Sequence, residues 1–147
     1  MHYMKHSLLI ILATFFIIIC ITCVIIINWQ AENNEIKKEN AVYEEYLNKE
    51  IKGTELATII NKAVDNNEKN NVQKDKNGYY IDNEINSIKI DLKMSTVKKT
   101  YPMEEIYNNE IATFVQNFNT IKFKCTNIEY HAKTKKVSKL IFAEIEE

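Results

Sequence analysis

Leu8 to Ile27, LLIILATFFIIICITCVIII, is a run of twenty residues without a charge. At about 1.5 Å per residue it makes a helix of roughly 30 Å, the thickness of a bilayer's hydrocarbon core. Its only polar side chains are Thr14 and Thr22, whose hydroxyls can bond back to the helix's own carbonyls, so no group need stay unsatisfied in lipid. The run reads as a transmembrane helix, and the rest of the chain as what that helix presents.

Lys5, His2 and His6 precede the run with no acid among them, while Trp29, suited to the membrane interface, follows it with Glu32, Glu35, Lys37, Lys38 and Glu39. The positive-inside bias therefore expects a cytoplasmic N-terminus and an extracytoplasmic C-terminal part at the plasma membrane. A cleaved signal peptide is the competing reading. Its apolar core runs to about 7–15 residues and ends in small residues. The present run is longer, and a cut after Ala31 would have Trp29 where a small side chain is needed, so a retained signal-anchor is expected. Lipid attachment at Cys20 or Cys23 is disfavoured, because Ile19 and Thr22 precede them and the apolar run continues past both. Both read as small lipid-compatible residues on one helix face.

The basic residues, 19 in number, are all lysine, and all but Lys5 lie beyond the span, against 20 acids. Such a near-neutral surface has no broad basic field, and no nucleic-acid partner is expected. Without arginine the chain lacks the bidentate fork that grips phosphate and carboxylate. Gly53 and Gly78 are the only glycines, so there is no glycine-rich phosphate cradle. Cys125 is the sole cysteine outside the span. No internal disulfide can staple the outer part, and packing must hold it together.

In the segment 31–51 Ile36, Tyr43 and Leu47 recur at helical spacing, which predicts a stalk helix continuing from the anchor. Gly53 is read as its breaker and Thr54 as the cap of the next helix, where Leu56, Ile59, Ile60, Ala63 and Val64 form a core-facing stripe. Residues 65–77 read as a polar loop, Tyr79-Tyr80-Ile81 as a short strand, and 87–94 as a strand with Ile88, Ile90, Leu92 and Met94 on its buried face. Thr100-Tyr101-Pro102 is expected to open a helix running to Asn119, with Glu104 and Glu105 near the positive end of its dipole. Residues 121–145 read as a hairpin, with a bulge near Thr126-Asn127 where inward parity passes from Ile121, Phe123 and Cys125 to Ile128 and Tyr130. The expected fold class is α+β: a transmembrane helix extended as a stalk, then helices on a small, mainly antiparallel sheet of three or four strands. The expected divisions are 1–30 for the tip and anchor, 31–52 for the stalk and 53–147 for the extracytoplasmic domain.

Chemistry is sparsely signalled. With Gly78 as the sixth residue of a calcium loop, Asp75, Asn77 and Glu84 would fall at its third, fifth and twelfth positions. Gln73 would then stand first, and a strand would follow where a helix is required, so a solvated hairpin is preferred. His131 has no second histidine in the outer part and reads as an exposed turn residue. Cys125 could be paired with it as a nucleophile but reads as a buried small hydrophobe. Lys133, Lys135, Lys136 and Lys139 make a basic tip to the hairpin, read as solvated. Tyr79 and Tyr80 lie in a polar surround, and adjacent strand residues face opposite ways, so one ring should pack on the sheet and the other point out. Tyr79, Tyr80 and His131 form the candidate partner surface. No catalytic residue, cofactor or metal is indicated.

The stretches GTELATIINKAVDNNEKNN, YPMEEIYNNEIATFV and FKCTNIEYHAKTKKV resemble an uncharacterised family of short single-pass membrane proteins from AT-rich, low-GC bacteria. The resemblance covers about residues 53–147 and carries no activity or site residue with it. In layout, an apolar N-terminal helix, a stalk and an antiparallel sheet, the chain is also similar to type IV pilins and pseudopilins. Those have a Gly before the apolar run and a Glu within it, and neither is present here. The favoured reading is a non-enzymatic, membrane-anchored interaction domain, with an accessory or pilin-like subunit of a cell-envelope assembly as one form. Its expected partners are the membrane and protein partners or further copies of itself. The alternative is a small anchored enzyme or ligand-binding domain using His131, Cys125 or the Tyr79-Tyr80 face.

Overall fold

A computed structural model describes residues 2–109 and 111–145. The chain divides into two compact units, Met1–Lys37 and Lys38–Glu147. The first is helical throughout its described length, as part of helix α1, His2–Glu44. Its apolar side chains from Leu9 to Ile27 are exposed on every side. Thr14 and Thr22 donate their hydroxyl protons to the carbonyls of Ile11 and Ile19, each at 2.8 Å.

The second unit is α+β, with helices packed on a five-stranded mixed sheet of order β1-β4-β5-β2-β3. The last residues of α1 lead into β1 (Glu50–Lys52) and α2 (Gly53–Lys69). Next come β2 (Lys89–Met94), β3 (Lys99–Pro102), α3 (Met103–Asn108) and α4 (Ile111–Phe118). The hairpin of β4 (Lys122–Tyr130) and β5 (Val137–Glu144) closes the sheet. Both edges are short strands, a form that limits edge-to-edge pairing with other chains. Leu56, Ile59, Ile60, Ala63 and Val64 of α2 are all buried, as are Ile51, Ile90, Leu92, Phe123, Leu140 and Phe142 of the sheet. These residues belong to one core.

Several expectations change. The sheet has five strands, and β2 pairs with β5 in parallel. The long crossover that parallel pairing requires is supplied by β3, α3, α4 and β4. Residues 99–102 form an edge strand against β2 instead of opening a helix, and the helix expected down to Asn119 is broken after Asn108. Gly53 is the first residue of α2, with Lys52 at its N-cap in place of Thr54. Phe118 explains the glycine: a Cβ on Gly53 would overlap its carbonyl oxygen. Tyr79-Tyr80-Ile81 is not a strand, Tyr80 making only an isolated bridge to Lys74.

Helix α2 runs on through the expected loop to Lys69 because the asparagines there are satisfied by the chain beyond. Asn67, fully buried, donates its amide N–H to the Ile88 carbonyl at 2.7 Å and accepts the Ile88 N–H at 2.8 Å. It completes the backbone bonding of the residue before β2, as a neighbouring strand would. Asn40, near the end of α1, does the same at the hairpin turn, donating to the Lys135 carbonyl and accepting from the Val137 N–H, both at 2.9 Å.

Candidate functional site

The register of β4 decides where His131 goes. The expected bulge is present between Cys125 and Asn127, and a second register shift follows between Glu129 and Tyr130. The first turns Ile128 inward. The second returns Tyr130 to the surface, where its hydroxyl donates to Glu44 at 2.8 Å, and sends His131 into the interior. His131 is only 4% exposed, which corrects the reading of an exposed turn residue. A carbonyl can only accept, so Nε2–H of His131 donates to the Ser87 carbonyl at 2.8 Å. Nδ1 faces the Asp82 carboxylate at 3.7 Å.

Serine, histidine and aspartate thus meet, but not as a hydrolytic triad. The Ser87 hydroxyl donates to Asp82 at 2.9 Å and accepts the Asn83 N–H at 3.2 Å. The imidazole bonds the Ser87 carbonyl, so the hydroxyl is not held for deprotonation by a base. The three side chains clamp the 82–88 loop to the hairpin. The Glu84 N–H given to Asp82 holds its carboxyl below the usual range, assisted by the Ser87 hydroxyl and by His131. Cys125 lies six residues earlier on β4, about 20 Å of strand away. It is buried, and burial pushes its thiol pKa up, the opposite of an activated nucleophile.

Tyr79 and Tyr80 follow a turn shaped by Gly78, whose φ of +84° is the left-handed conformation that glycine takes without strain. Asp75 Oδ1 accepts the N–H groups of Asn77 at 2.8 Å and Tyr79 at 2.9 Å. The carboxylate at the third position of the calcium-loop reading is therefore committed to the turn. Among the described residues no group of three or more His, Cys, Asp or Glu is placed to hold a metal ion.

Tyr80 is the ring that packs, at 3% exposure, and Tyr79 is half-buried. The Tyr80 hydroxyl donates to Glu68 at 3.4 Å, and the Lys74 ammonium lies 4.5 Å from the ring centre. Burial raises the Tyr80 pKa, with Lys74 opposing the shift. The Tyr79 hydroxyl donates to Glu105 Oε1 at 3.4 Å, while Lys99 holds the other Glu105 oxygen at 3.1 Å. Desolvation, then the Glu105 carboxylate, raises the Tyr79 pKa. Of the candidate partner surface, Tyr79 alone keeps substantial exposure; Tyr80 and His131 are interior residues.

Beside the two tyrosines opens a cleft of about 410 Å³, bounded by Lys89, Asp91 and Lys139 of the sheet and by Pro102, Glu104 and Glu105. Asp91 pairs with Lys139 at 2.6 Å. Glu104, in the first turn of α3, is only 5% exposed and accepts the Tyr80 N–H at 3.1 Å. Sequence reasoning missed Glu104 as a buried group. It stands about 100° around the helix from Met103, off the apolar stripe, so no periodic signal marks it. A second hollow of about 180 Å³, between Leu92, Met94 and Tyr101 on one side and Ile106, Phe114 and Phe118 on the other, lies where the α3–α4 break leaves the apolar face incompletely closed.

Compared with protein-family models, with curated proteins and with solved structures, the chain matches none.

Proposed function

We propose that this protein is a single-pass, membrane-anchored interaction domain without enzymatic activity. In this reading its N-terminus is cytoplasmic, and its α+β domain stands at the outer face of the plasma membrane as an accessory or pilin-like subunit of an envelope assembly. One observation carries it. The N-terminal helix has an 18-residue window of mean hydropathy 3.3, none of it buried within the protein. Large apolar side chains all round a helix, with only self-satisfied hydroxyls among them, are matched to lipid. The non-enzymatic part is supported by the bonding of Ser87 to Asp82 instead of to His131 and by the burial of Cys125. The Tyr79 side, with its cleft and mixed charges, is the proposed recognition face.

An amine-reactive cross-linker kept outside intact cells tests both topology and assembly, because all lysines but Lys5 lie beyond the apolar run. A ladder of self-multiples or a discrete heterologous band is the expected product. Labelled monomer alone overturns the assembly reading, and the absence of any label overturns the topology.

A further inference from the structure

We propose that the cleft beside Tyr79 and Tyr80 binds a primary alkylammonium group, seated on the free carboxylate oxygen of Glu104. This rests on taking the Tyr79 side as the recognition face and is independent of membrane topology. Among the described residues of the domain, Asn40, Asn67, Ser87, Glu104 and His131 are the buried polar ones. Asn40, Asn67 and Ser87 each use their side chain in two hydrogen bonds, and His131 is bonded through Nε2 and faces Asp82 through Nδ1. Glu104, the one carboxylate of the set, accepts a single hydrogen bond, from the Tyr80 N–H to Oε1. Among the described residues nothing donates to its Oε2, and no cation lies within 4 Å.

Oε2 nevertheless is not sealed in, since no fully buried side-chain oxygen or nitrogen among the described residues lacks a partner. Glu104 lines the cleft, and the proposal seats the cation on Oε2 from that side. The other carboxylates there are neutralised, Asp91 by Lys139 at 2.6 Å and Glu105 by Lys99 at 3.1 Å. Glu104 is the one carboxylate lining the cleft with no cation within 4 Å among the described residues. A carboxylate oxygen so placed can take a charge-assisted hydrogen bond from a cation that brings its own donors.

The geometry selects the cation. With Oε1 held by the Tyr80 N–H, a single oxygen is offered, which suits the point charge of an ammonium better than the two-pronged guanidinium. Pro102 and the half-buried Tyr79 line the cleft and offer apolar surface to an alkyl stem. Lys89 also lines the cleft and pairs with no carboxylate within 4 Å among the described residues. It brings a like charge to the cleft that an external ammonium would enter, so removing it should strengthen binding of an external amine.

The test uses ¹⁵N-labelled full-length protein in non-ionic detergent and amine-free buffer, titrated with n-butylammonium chloride against equal sodium chloride. A parallel titration uses Nα-acetyl-lysine amide; tighter binding of it than of n-butylammonium points to a protein lysine as the natural source, and the reverse to a free amine. The expected result is a saturable shift of the Tyr80 amide resonance with either amine and none with sodium chloride or tetramethylammonium, which has no N–H to donate. Glu104→Gln keeps an oxygen for the Tyr80 N–H and should weaken binding by about tenfold or more, the scale of losing a charge-assisted hydrogen bond. Lys89→Gln should tighten it. A Tyr80 shift indistinguishable from the salt control, or equal affinity in folded Glu104→Gln, overturns the proposal. The wild-type titration decides the matter if that variant does not fold. Because the detergent sample is blind to topology, its failure leaves the cell cross-linking result standing, and the reverse also holds.

Discussion

The helix of the N-terminal unit and helix α2 use the same aliphatic side chains in opposite surroundings. Ile17 is 56% exposed and Ile59 is 0% exposed. The difference follows from what else each helix carries. From Leu8 to Ile27 no face is polar, so folding against a sheet would bury only one side of it and leave the rest in water. In α2 the stripe of Leu56, Ile59, Ile60, Ala63 and Val64 is backed by Glu55, Lys62, Asp65 and Glu68, and a sheet can satisfy all of its apolar surface. An amphipathic helix finds its cover within the protein, whereas a helix apolar all round needs an apolar medium.

The largest effect should come from exchanging the two isoleucines in turn for alanine. Ile59→Ala is expected to cost the domain about 2–5 kcal/mol, from lost burial and the cavity left behind. Ile17→Ala should leave the domain's urea midpoint unchanged, measured by circular dichroism in detergent. Equal losses would mean that the N-terminal helix draws stability from the domain, and the contrast would collapse.

Asn67 sharpens the same contrast, because α2 carries on its buried side a polar group of a kind the run Leu8 to Ile27 lacks. Asn67→Ala strands the N–H and carbonyl of Ile88 in the core, each unmet group costing about 1–3 kcal/mol. A loss of about 3 kcal/mol is expected, together with faster hydrogen exchange at the Ile88 amide. An unchanged exchange rate would show that the asparagine does not hold the start of β2.

Tyr43 reports on α1 where it belongs to the folded domain. Burial first, then the negative charges of Asp65 and Glu39, push its pKa up to about 12 from 10.0. Between those values the folded chain keeps a proton that the unfolded chain releases. Its contribution is therefore fully present below about pH 10 and is lost as pH rises through about 12, amounting to about 2–3 kcal/mol at 1.36 kcal/mol per unit. Ultraviolet titration should find the Tyr43 tyrosinate among the last to form, with that step absent in Tyr43→Phe, and that variant should lose less stability in alkali. A Tyr43 that ionises with the exposed tyrosines would place it outside the core.

Strong, local and repeated signals were legible without any structure. Unbroken apolarity marked the first helix, the stripe marked α2, and alternation of Ile88, Ile90, Leu92 and Met94 marked β2. The parity change near Thr126-Asn127 located a real register shift. Strands β1 and β3, of three and four residues, are too short to show a period. The break between α3 and α4 has no glycine or proline to announce it. His131 was misread because a second shift, one residue before it, reverses which side chains face in, and a change of parity at a strand's last residues leaves no pattern behind it.

By itself the sequence determined what depends on each segment's own chemistry: a helix apolar all round, an amphipathic helix, a hairpin and the α+β class. Only the tertiary structure decided the pairings between distant segments. The parallel alignment of β2 with β5, the seating of Asn67 on Ile88 and the meeting of Glu104 with the Tyr80 N–H all join residues 20 or more positions apart. Hydropathy and periodicity sum over neighbours along the chain. A buried polar group is stabilised by one specific partner, and that partner is chosen by the fold.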